Sequence, residues 1–176
     1  MAVIPAVVTT DARIYWPQMF GNLQTFQAIT HFKVGEGGWV DPGGGAEPRV
    51  PDANLRRLDN NLQDIDVIVD PTRAPIDQRY DATPGPTYSR GWFSKDLDPA
   101  DFTFVSPSTL RVRCLLDFSE FNDDSEGNNP EIWELGLFSP HPLNPTTWEL
   151  MVAYATFPME TKDATKQIEN IIKVVF

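Results

Sequence analysis

The sequence predicts a mainly β domain of the α+β kind, antiparallel and sandwich-like, with long proline-rich loops and one short amphipathic helix. Three observations predict it. Apolar and polar residues alternate with period two in several stretches, most clearly at Leu110, Val112, Cys114, Leu116 and Phe118. There are 16 prolines, nine of them from Pro42 to Pro107, which excludes long helices and central strands there. With 176 residues, 41% hydrophobic and 11% aromatic, the chain is long and apolar enough for a core and of a size for one domain.

Each element follows from its own pattern. Phe26, Ala28, Thr30, Phe32 and Val34 alternate with Thr25, Gln27, Ile29, His31 and Lys33, so 25–34 reads as a strand. The run Gly35-Glu36-Gly37-Gly38 requires a sharp turn, and Asp41-Pro42-Gly43-Gly44-Gly45 a second loop. Leu55, Leu58, Leu62 and Ile65 share one helical face behind Asp52, which fits an N-cap. Val67-Ile68-Val69 closes this region as a short strand.

Residues 70–108 hold six prolines and read as an extended insertion, or arm, within a single domain of residues 1–176. Within it, Tyr88, Arg90, Trp92 and Phe93 form an aromatic, basic patch. Such a patch suits either a small satellite core or a contact with another chain. Trp39, beside the glycine turns, joins these four as a candidate partner contact. Beyond the arm, 110–118, 131–139, 148–157 and 167–176 read as the strands of a meander. Both alternating sets of 148–157 are apolar, which predicts a central strand covered on both sides.

Chemistry-bearing patterns are sparse. Two histidines, His31 and His141, lie far apart in sequence with no helical pairing, which argues against a metal centre. Cys114 is single and sits in an apolar strand, so a buried, inert thiol is expected. Neither glycine run carries a phosphate-binding signature, and no nucleophile elbow occurs. The acidic segment 122–129 starts like a calcium loop, but Trp133 stands where the closing carboxylate belongs. It reads as a solvated hairpin loop, with a weak calcium site of another geometry as the alternative. With 25 acidic and 14 basic residues the net charge is −11, which argues against nucleic acid as a main partner. No apolar run is long enough for a membrane helix, and the start of the chain makes a poor secretory signal. No cofactor, metal or catalytic activity is expected.

Ile29-Thr30-His31-Phe32-Lys33-Val34-Gly35-Glu36-Gly37-Gly38, followed by Asn54-Leu55-Arg56-Arg57-Leu58, resembles the amino-terminal domain of phage tail-collar fibre proteins. Further segments resemble that family in order. These are 110–118 as a long strand, Glu131-Ile132-Trp133-Glu134-Leu135-Gly136-Leu137-Phe138 with Trp133 and Glu134 inserted, Leu150-Met151-Val152-Ala153-Tyr154, and 168–176 as a closing strand. About 100 of the 176 residues are covered. The sequence ends at Phe176, where a fibre protein would continue into a shaft, and 70–108 has no counterpart. The resemblance therefore implies a structural component of a contractile phage tail or related injection particle. It would join baseplate and tail fibre in multiple copies in the virion, after assembly in the host cytoplasm. A non-catalytic carbohydrate-binding module is the alternative, and a small enzyme a more distant third.

Overall fold

The computed structural model describes residues 3–21, 23, 27–40, 42–54, 92–122, 129–143, 145–146 and 149–175, with the backbone alone at Trp92. The mainly-β expectation holds. The strands are β1 (Val3–Val8), β2 (His31–Gly35), β3 (Trp39–Val40), β4 (Glu47–Pro48), β5 (Trp92–Asp96), β6 (Phe102–Ser106), β7 (Thr109–Leu116), β8 (Glu131–Pro140), β9 (Glu149–Thr161) and β10 (Ile168–Val175). A helix, α1 (Thr10–Phe20), follows β1 directly. Eight strands form one sheet in the order β5-β2-β8-β9-β1-β10-β7-β6, and β3 pairs with β4 separately.

β1 is the seam of this sheet. Its first residues run parallel to β10, with Ile4 opposite Ile172, while Val7 and Val8 pair antiparallel with Tyr154 and Ala153 of β9. The other pairings are antiparallel. The sheet must also curl. β5 and β6 stand at its opposite ends, yet only residues 97–101 connect them. Such a connection spans no more than about 20 Å. Lys95 of β5 reaches across to the β7 end, donating to the Leu115 carbonyl at 2.9 Å and to Glu120 Oε2 at 2.7 Å. Phe93 stacks on Phe121, ring centroids 5.6 Å apart. Phe121 takes a left-handed backbone, φ 48°, to place that ring fully inside.

The curl wraps one main core. Phe32, Val34, Leu110, Val112, Cys114, Leu116, Ile132, Leu135, Leu137, Ile172 and Val174 all belong to it. The alternation in β7 and β10 supplies every second residue inward, as period two requires. In β9 the alternation is broken productively. Pairing steps from Leu137–Ala153 to Phe138–Met151, so Val152 is the extra residue of a bulge. Val152 and Ala153 therefore both join the main core, while Met151 and Tyr154 join Phe138 in a second cluster. The expectation of a strand buried on both faces is met at 150–155.

Two elements differ from expectation. α1 arises where no helix was expected, and the helix predicted behind Asp52 lies outside the described residues, as do 67–69. Thr9 caps α1: its hydroxyl accepts from Ala12 N and donates to the Met151 carbonyl, fixing the helix to β9. Ala12 then packs in the main core with the partly buried Tyr15 and Trp16. Within the expected arm, 70–108, residues 92–96 and 102–106 are instead sheet strands, and 70–91 lie outside the described residues. Pro99 and Pro107 lie just outside those strands and bound them rather than interrupt them.

Candidate functional site

A largely buried cluster of ionisable groups lies on the outward face of β2, β8 and β9. His31 and Lys33 are two residues apart on β2, so they share that face, and Phe138 stands opposite His31 in register. Glu149 completes the group from β9. Its carboxylate is 3.2 Å from His31 Nε2 and bonded through its other oxygen to Lys33 Nζ. The His31 ring stacks on Phe138, centroids 5.4 Å apart, and Lys33 Nζ sits 4.8 Å from the centre of the same ring. Lys33 is only 2% exposed. Burial pushes the Glu149 carboxyl upward, but the bonds and charges of His31 and Lys33 outweigh it and hold the group at about 2. The result is a clasp from β2 to β9 across β8. Thr30 Oγ1 stands 3.0 Å from His31 Nδ1, on the other side of the ring.

Beside it lies a second buried polar pair. Tyr154 donates its hydroxyl to Glu134 Oε2 at 2.7 Å, and both residues are fully buried. A layer of backbone from the glycine turn covers them. Gly38 has φ +83°, and a Cβ there would stand 2.8 Å from Glu134 Cβ and 3.1 Å from the Tyr154 hydroxyl. Gly38 is thus required twice, for its left-handed conformation and for its contact. The hairpin of β3 and β4 continues this layer: Arg49 N bonds to the Gly38 carbonyl, and Thr156 Oγ1 to the Arg49 carbonyl. Glu36 accepts from Glu131 N at 3.0 Å, pinning the turn to β8.

The sequence-derived contact residues are dispersed. Trp39 is partly buried in this layer, donating Nε1 to the Glu36 carbonyl at 3.1 Å, with its ring 6.3 Å from that of Trp133. Phe93 is 7% exposed and held in the main core, so its ring serves the fold. The Trp92 backbone lies in edge strand β5, and Tyr88 and Arg90 lie outside the described residues. Of the acidic segment 122–129, Asn122 is described: it accepts from the buried Lys162 at 2.6 Å. Cys114 is buried as expected, and burial raises its thiol well above the usual range. The Lys33, Glu149, Glu134 and Tyr154 group was missed. The spacing of His31 and Lys33 on one strand face was its only signal.

Other chemistry-bearing places are shallow or incomplete. A polar groove of about 340 Å³ lies between the end of β9 and the start of β10, lined by Glu160, Thr161, Lys166, Gln167, Ile168 and Glu169. Burial raises the Glu160 carboxyl, against a bond from Asn170. Among the described residues, no three His, Cys, Asp or Glu side chains come together as a metal site. No helix among them is long and apolar enough to cross a membrane.

Among the exposed apolar groups, two sets stand apart from each other in the fold. Ile14 is 49% exposed on α1, with Phe20 and Leu23 more open still at its end. Edge strand β6 exposes Phe104 and Val105, four places along the sheet from β9, on which α1 packs. Comparison with protein-family models, curated proteins and solved structures finds no match to this chain.

Proposed function

We propose that this chain is a non-catalytic structural component of a phage tail or baseplate. It would link baseplate and tail fibre through protein–protein interfaces, in multiple copies within the virion. The observation that carries the proposal is that large apolar side chains are exposed both at α1 (Ile14, Phe20, Leu23) and at edge strand β6 (Phe104, Val105), which stand apart in the fold. Large exposed apolar groups of this kind mark contacts with other chains, and a connector needs two such contacts. The resemblance to tail-collar fibre proteins adds support. Of the segments that carry it, five lie in β2, β7, β8, β9 and β10, all strands of one sheet, while Leu55-Arg56-Arg57-Leu58 lies outside the described residues. The polar clusters fit a scaffold, because their charges bind one another.

The test is recovery of a tagged copy from cells producing the natural particle, with mass spectrometry and electron microscopy of what co-purifies. Tube, sheath, baseplate or fibre chains in large particles are the expected result. A lone monodisperse chain would refute the proposal and favour a ligand-binding module, for which glycan titration is the next measurement.

A further inference from the structure

We infer that the outward face of β10 and β7 is a docking surface for an acidic segment of another protein chain. The face is built by register. Lys173 stands opposite Arg111, Thr103 of β6 lies beyond Arg111, and Pro5 of β1 lies beyond Lys173. Arg111 and Lys173 are both exposed. Neither takes part in an ion pair or side-chain hydrogen bond among the described residues. Arg113, one row away, is already engaged by Glu169 and Asp101.

Two like charges directly opposite on a sheet are destabilising. A chain with 25 acidic and only 14 basic residues has acids to spare for separating them, yet places two free cations side by side here. Apolar side chains flank the pair on the same face: Val3 is 43% and Val175 54% exposed, with Ile171 partly open between the strands. Charge complementarity selects the occupant. Carboxylates of the partner would sit at Arg111 and Lys173, and its apolar groups on Val3 and Val175. A phosphate polymer fits less well, since the exposed Val3 and Val175 beside the two cations offer a phosphate backbone nothing to bind. This inference deepens the structural-component reading and rests on it for the partner's origin.

The test uses the full chain and a peptide in which Glu alternates with Val, with a Lys-for-Glu peptide as control. Amide exchange and NMR shifts report on β7 and β10. The acidic peptide should protect these strands, the basic one should not, and added salt should weaken the effect. The Arg111→Thr, Lys173→Thr double variant should bind about tenfold more weakly, and Arg111→Glu, Lys173→Glu more weakly still. Equal protection by both peptides, unchanged binding by the double variant, or tighter binding of an anionic lipid vesicle or single-stranded oligonucleotide at these strands would overturn the inference. Capture from producing cells separates the two proposals. If wild type and Arg111→Glu, Lys173→Glu recover the same particle chains, the docking face fails and the structural reading stands. If wild type recovers none while the acidic peptide binds β7 and β10, the structural reading fails and the face stands.

Discussion

The two halves of the sheet treat their outward faces in opposite ways. On β2, β8 and β9, charged and polar side chains are drawn inward and bound to one another, with the glycine turn covering Glu134 and Tyr154. On β10, β7 and β6, the corresponding face is open, and its cations Arg111 and Lys173 oppose each other. The covered half uses charge to lock strands together. The open half tolerates a charge arrangement that weakens it. A fold that only needed stability would do neither, since apolar replacements serve the first place and opposite charges the second. Position alone therefore separates charge that builds the scaffold from charge left for a neighbour.

The largest expected effect breaks the covered half. Glu149→Ala takes the carboxylate away from the buried Lys33 ammonium and should cost about 3 kcal/mol in denaturant unfolding. The same clasp sets an acid limb. The Glu149 carboxyl is held at about 2 in the folded chain against 4.5 ordinarily, so its contribution is present above pH 4.5 and lost as pH falls towards 2. That contribution is roughly 3 kcal/mol, and Glu149→Gln should flatten the stability profile between those values. A profile as steep in the variant as in wild type would show that the acid limb comes from elsewhere.

Gly38→Ala should cost about 2 kcal/mol, because its Cβ meets Glu134 and its backbone is left-handed. Thermal unfolding measures it, and a neutral result would mean that the covering layer is looser than its contacts imply. Tyr154→Phe removes one hydrogen bond to a buried carboxylate and should cost about 1 to 2 kcal/mol. In the open half the sign reverses. Lys173→Glu pairs with Arg111 across the strands and should stabilise the isolated chain by about 0.5 kcal/mol. A loss instead would mean that the cation pair serves the fold.

This contrast was partly visible before any coordinates. Strand β7 was legible because period two runs through it, so 110–118 became Thr109–Leu116, and the apolar run 131–139 became Glu131–Pro140. The doubly apolar stretch became the doubly covered β9. α1 was not legible, because Pro17 interrupts it and its buried positions include only Ala12 and Met19. The cap at Thr9 and the spacing Ala12, Trp16, Met19 were the signals available. The covered charges were illegible for a different reason. His31 and Lys33 look like the solvent side of a half-buried strand, and only Phe138 and Glu149, brought alongside by β8 and β9, reveal that side as interior. Edge strands β5 and β6 were hidden by the prolines that bound them.

The shared strand β1 also governs when the fold can be finished. Its residues 3–8 find their partners at 171–174 and 153–154, near the far end of the chain. During synthesis the first strand emerges with both edges bare and waits for nearly the whole sequence to follow. Closing so long a loop carries an entropic cost before any local contact repays it, which makes for slow folding. Until then the exposed edges of β9 and β10 invite pairing with other nascent copies. Yield at high expression should therefore depend on temperature and on chaperones more than the stability of the finished domain would suggest.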